Sequence, residues 1–71
     1  MSKTMANVWI NGEQTITPSE LNLFGFLEHL GTNPRLVAVE YNGEILHRQF
    51  WEDTIIKEGD SLEIVTIVGG G

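Results

Sequence analysis

Seventy-one residues with ten acidic and four basic side chains make one small domain of formal charge −6, and a chain this short buries only about 60 % of its unfolded-state surface. The absence of cysteine removes disulfides, thiolate metal sites and thiol nucleophiles, while the negative charge repels phosphate backbones and anionic bilayers, so neither nucleic acid nor a membrane is an expected partner. No apolar stretch is long enough to span a membrane and the first residues lack a secretory pattern, so the expected location is cytoplasmic.

In chain order, residues 1–4 carry no pattern and read as a loose extension ahead of a domain at 5–68 and a glycine tail at 69–71. Ala6, Val8 and Ile10 alternate onto one face of a first strand. Asn11-Gly12 follows, and a two-residue type I′ turn needs φ above zero at both centres, which asparagine and glycine tolerate. Glu13 to Thr17 is the expected antiparallel partner, ended by Pro18, which cannot donate a ladder hydrogen bond. Leu23, Phe26, Leu27 and Leu30 fall at i, i+3, i+4 and i+7, one stripe of an amphipathic helix. Asn22 is the natural N-cap, with Ser19 as an earlier alternative. Gly31 stands where a left-handed C-cap belongs, and Pro34 lies beyond it.

Leu36 to Tyr41 reads as a central strand turned by Asn42-Gly43 into Glu44-Ile45-Leu46. His47 to Asp53 breaks the alternation and predicts a turn or short helical segment with Phe50 or Trp51 tucked beneath it. Lys57-Glu58-Gly59-Asp60 is a turn by composition and Leu62 to Val68 the last strand. A hairpin, a helix and further strands specify a mixed sheet of four to five strands wrapped around one main helix, with the terminal strands central and adjacent. This is an α+β fold of the β-grasp, or ubiquitin-like, kind.

If Glu63 faces solvent, Leu62, Ile64 and Val68 point inward, Thr66 is marginal, and Val65 and Ile67 point outward. Those two, next to the chain end, are candidates for a partner-docking surface. Trp9, opposite Val8 and Ile10, reads equally as an interface anchor or as packing along the edge of a thin core. With no other large apolar surplus expected beyond Trp9, Val65 and Ile67, the free protein is expected to be a monomer.

The sequence closes with Val68-Gly69-Gly70-Gly71. Without Cβ atoms the glycines can lie extended in a narrow channel, reaching roughly 10 Å. That would carry the carboxylate of Gly71 into the active site of another protein.

Three segments resemble the sulfur carrier proteins of thiamine thiazole biosynthesis, the ThiS family: Val37-Ala38-Val39-Glu40-Tyr41-Asn42-Gly43-Glu44-Ile45, Gly59-Asp60-Ser61-Leu62-Glu63-Ile64-Val65, and Val68-Gly69-Gly70-Gly71. The likeness covers almost the whole chain from Met5 onward, with a departure at Phe24-Gly25-Phe26, where the family carries a more leucine-rich, acidic segment. The resemblance implies a protein without catalytic activity of its own. Its terminal Gly71 is adenylated with ATP by a partner ThiF-like adenylating enzyme, converted to a thiocarboxylate with sulfur from a donor such as a cysteine desulfurase system, and used by a ThiG-like thiazole synthase. It implies no stably bound cofactor: ATP is consumed by the partner, and this chain has no G-x-x-x-x-G-K-[ST] phosphate loop.

The remaining constellations are weak. His29 and His47 are the only histidines and read as surface residues rather than metal ligands. Glu52-Asp53 and Glu58-Gly59-Asp60 lack the spacing of a calcium loop. The small subunit of molybdopterin synthase, which shares the fold and the thiocarboxylate chemistry, is one alternative reading. A ubiquitin-like protein modifier is another, and a passive interaction module of the same fold is a third.

Overall fold

The computed structural model describes residues 4–67. Five strands form one sheet in the order β2-β1-β5-β3-β4: β1 is Met5–Ile10, β2 Glu13–Pro18, β3 Val37–Tyr41, β4 Glu44–Ile45 and β5 Ser61–Thr66. The single α-helix among the described residues, α1, is Leu23–His29. The first and last strands are neighbours and parallel, with Trp9 opposite Ser61 and Ile10 opposite Leu62, as the β-grasp reading requires.

Both Asn-Gly pairs turn hairpins with φ above zero at each centre, 50° and 85° at Asn11 and Gly12, 51° and 90° at Asn42 and Gly43. Asn22 caps α1, its side-chain oxygen accepting the Gly25 N–H at 2.9 Å, so Ser19 is not the start. At the other end the Gly31 N–H donates to Glu28 O and the Thr32 N–H to Leu27 O, both at 2.9 Å; this crossed pair satisfies the last free carbonyls of the helix. Leu23, Phe26 and Leu27 are fully buried against Val8, Val37, Val39, Ile56 and Leu62, while Leu30 packs at the margin.

Several boundaries differ from the sequence expectation. Leu36 belongs to a 3-10 turn, Pro34–Leu36, rather than to β3, because Asn33 caps that turn through the Arg35 N–H at 2.9 Å. The fourth strand stops at Ile45, and β2 runs through Pro18, which as the last residue of an edge strand needs no ladder donor. Thr4 is held to the first hairpin, its carbonyl accepting the Ser19 N–H at 3.0 Å, so the loose extension expected at 1–4 does not include it. A 3-10 turn at Arg48–Phe50 fills the 47–53 break. Trp51 is the aromatic beneath it, 2 % exposed, whereas Phe50 is 49 % exposed.

The strand that leads to the C-terminus is pinned by side chains as well as by its ladder. Past the end of β1, Asn11 accepts the Ile64 N–H at 2.8 Å and donates to Ile64 O at 3.2 Å, so its amide stands in for one more strand residue. On the other flank Asn42 accepts the Ser61 N–H at 2.8 Å. Asp60, 5 % exposed, accepts from the Tyr41 hydroxyl at 2.5 Å, the Lys57 N–H at 2.7 Å and Asn42 Nδ2 at 3.3 Å. One buried carboxylate thereby locks the turn before β5 to the β3–β4 hairpin.

Burial, reinforced by the adjacent Asp60 carboxylate, pushes the Tyr41 hydroxyl well above the ordinary tyrosine range. A folded-state pKa above the unfolded one means that the unfolded chain loses this proton first as pH rises. The stability it carries is complete below the unfolded value of about 10 and declines progressively above it. Tyr41 is the sole tyrosine of the sequence, so urea midpoints followed from pH 9 upward should fall, and Tyr41→Phe should remove that part of the decline. An unchanged alkaline slope in the variant would contradict the assignment.

Candidate functional site

Val68, Gly69, Gly70 and Gly71 lie outside the described residues, so the site is built from what leads to them. β5 carries its side chains in the expected phase: Leu62 is buried, Ile64 packs against the core, and Glu63 and Val65 face solvent, Val65 at 58 % exposure. Ile67 continues the ladder past the end of β5, its N–H donating to Leu36 O at 2.6 Å, and its side chain is also exposed. Thus Val65 and Ile67 lie two residues apart beside the route to the terminus.

Trp9 stands on the same outer face but far from that pair. It lies opposite Gln14 on one side and Ser61 on the other, and four residues of strand separate Ser61 from Val65, roughly 13 Å. It is 45 % exposed, so it does not serve as core packing. The three candidate docking residues therefore share one surface without forming one cluster.

That surface is more apolar than the sequence reading allowed. Met5 and Ile16 flank Trp9's end of the sheet, and Ile45 and Ala38 flank Val65. The expectation that Trp9, Val65 and Ile67 are the only apolar surplus is thus corrected: alternation in β1 and β2 puts Met5 and Ile16 outward, and the short β4 exposes Ile45 at 69 % because no strand covers its outer side. A shallow depression of about 440 Å³ lies among Ala38, Val39, Glu40, Ile45, Glu63 and Val65. The signal that could have located it was present in the sequence, since Ile45 and Glu40 occupy paired positions across the Asn42-Gly43 turn.

The described residues supply little chemistry of their own. No three His, Asp or Glu side chains among them gather as a metal site, and no helix among them is long and apolar enough to cross a membrane. Asp60, the one buried carboxylate, is occupied in the turn-locking network. What the arrangement offers is a broad, partly apolar outer sheet face continuous with the strand that runs toward the terminus.

Comparison with known proteins places this geometry. The family model described as the ThiS family matches residues 7–71. The crystal structure of the thiamine biosynthesis protein ThiS from Geobacter metallireducens superposes with a TM-score of 0.78 at 34 % identity, covering 92 % of this chain and 99 % of that one. The protein called ycf40 of Trieres chinensis is 40 % identical over 68 residues, 96 % of this chain and 93 % of that protein. A thiazole synthase of Paramagnetospirillum magneticum is 39 % identical over 62 residues, which are 87 % of this chain but 19 % of the synthase.

Proposed function

Since the chain belongs to the ThiS family, we propose that it is the sulfur carrier of thiamine thiazole biosynthesis and that the terminal carboxylate of Gly71 is its working group. The observation that carries this reading is the extent of the family match, which spans residues 7–71 and so includes the triple glycine. A carboxylate repels sulfur nucleophiles. Joined to AMP by a ThiF-like enzyme, with pyrophosphate released from ATP, it becomes an electrophile with a good leaving group; attack by the outer sulfur of a desulfurase-bound persulfide expels AMP and forms an acyl disulfide, whose S–S bond a second thiol of the donor system cleaves by exchange, freeing the thiocarboxylate and leaving the donor as a disulfide. Delivery of that sulfur to thiazole synthase returns the carboxylate.

Support for thiazole synthase as the receiving partner comes from the synthases of which a domain similar to this chain forms about a fifth. A carrier domain in the same polypeptide as its acceptor raises the local concentration of the two groups that must meet. In the present chain Gly69 and Gly70 would thread Gly71 into the partner while Val65, Ile67 and Trp9 rest on its surface. The experiment is direct: with ATP, the activating enzyme and a sulfur donor, the C-terminal peptide should gain the mass of one sulfur in place of one oxygen. An unaltered terminus under conditions where the activating enzyme turns over would reject the carrier reading.

Val65 and Ile67 provide a separate check. Because both are exposed and neither belongs to the buried cluster, Val65→Asp and Ile67→Asp should leave the fold intact and weaken binding to the activating enzyme by about 2 kcal/mol or more if they act as anchors. Calorimetric titration alongside circular dichroism separates binding from folding. Full affinity in the double variant would remove this pair from the interface.

A further inference from the structure

Glu40 and Glu63 stand directly opposite one another on β3 and β5, both exposed and both lining the depression that Ala38, Ile45 and Val65 also form. Side chains paired this way across antiparallel strands have Cβ atoms roughly 5 Å apart, and like charges so placed destabilise the sheet. The basic side chains among the described residues lie elsewhere: Arg35 and Arg48 in the two 3-10 turns, Arg48 over the Trp51 ring at 4.9 Å, and Lys57 in the connection before β5. Among the described residues, then, the two carboxylates stand side by side in this depression with no lysine or arginine lining it, Arg48 lining a neighbouring one that shares Ala38, Val39 and Ile45.

We propose that this depression is the seat of a basic side chain, an arginine or lysine flanked by apolar groups, presented by thiazole synthase. The inference rests on the carrier reading above and adds the chemistry of the contact. A guanidinium or ammonium placed between the two carboxylates turns a repulsive pair into two charge-assisted contacts, while Val65, Ala38 and Ile45 exclude water around it and strengthen the attraction. A chain of net charge −6 also draws a basic surface toward itself before contact, which raises the association rate. An acidic or purely apolar occupant would leave the repulsion in place.

The test pairs affinity with stability, because the proposal moves them in opposite directions. Glu40→Gln with Glu63→Gln keeps shape and removes charge, so the thermal midpoint of the free chain should hold or rise. Its affinity for thiazole synthase, measured by calorimetric titration of the whole chain, should fall roughly tenfold, with a flatter dependence on salt. Glu63→Lys sets opposite charges across the strands; it should strengthen the fold further and weaken synthase binding more than Glu63→Gln does.

Unchanged affinity and salt dependence in these variants, while the wild-type chain binds the synthase, would overturn the proposal and leave the carrier reading standing. So would loss of binding to the activating enzyme alone. Failure of the wild-type chain to bind the synthase would overturn the proposal together with the assignment of that partner, and thiocarboxylate formation on Gly71 would still report separately on the carrier reading.

Discussion

Deletion of Gly71 is expected to abolish thiazole formation while leaving the folded domain unchanged. The terminus of the shortened chain would fall roughly 3.5 Å short of its place in each partner, and a misplacement of about 1 Å can already cost a hundredfold in rate. A loss of three orders of magnitude or more in sulfur transfer is therefore the expected size. The residue lies beyond the pinned part of β5, whose last described backbone contact is Ile67 to Leu36, so thermal and urea midpoints should match those of the full chain. Thiazole production by reconstituted enzymes, with mass spectrometry of the C-terminal peptide, reads both halves. Full production by the shortened chain would defeat the assignment of Gly71, and covalent adducts between Gly71 and lysines of other proteins would point to the modifier alternative.

The largest effect on stability should come from Trp51. Its ring is 2 % exposed and joins the core cluster, meets Phe24 edge-on at 5.5 Å between centroids, and donates from Nε1 to Leu46 O at 2.8 Å. Trp51→Ala removes all of these and opens a cavity, a cost of about 3–5 kcal/mol. A domain of this size has about 4–10 kcal/mol in total, so the variant should lose a large share of its stability and its urea midpoint should fall furthest. Trp51→Phe keeps most of the apolar volume and loses the hydrogen bond, and should fall between. Phe50→Ala, at a half-exposed position one residue earlier, should cost under about 1 kcal/mol. Urea unfolding of the three variants checks the order, and a fully folded Trp51→Ala with an unshifted midpoint would mean that the core does not depend on this ring.

The neighbouring pair Phe50 and Trp51 marks the limit of what local pattern can decide. Both are large aromatics in a segment without periodicity, and nothing in the sequence near them ranks one above the other. Trp51 is chosen by groups distant in the chain, with Phe24 coming from α1. The candidate docking face divides in the same way. Its Val65 and Ile67 were readable from the alternation of β5 once Glu63 set the phase, but the contribution of Ile45 depends on β4 being two residues long and outermost in the sheet.

By itself the sequence determined the elements whose cause is local. Asn11-Gly12 and Asn42-Gly43 specify tight turns because few other residues accept positive φ at two successive positions. The Leu23-Phe26-Leu27 stripe specifies a helix because its spacing is the helical period, and Asn22 starts it because a short side-chain acceptor can reach the Gly25 N–H. Those signals, with the chain order, were enough for a β-grasp domain, and the three family-like segments were enough for the ThiS family. Only the tertiary structure decided which residues hold β5 in place and what its outer face presents. The bridges from Asn11 and Asn42, the Asp60 carboxylate between Tyr41 and Lys57, and the juxtaposition of Glu40 with Glu63 join residues up to 53 positions apart. Such pairings depend on sheet register, which many sequence positions set jointly and no single stretch encodes.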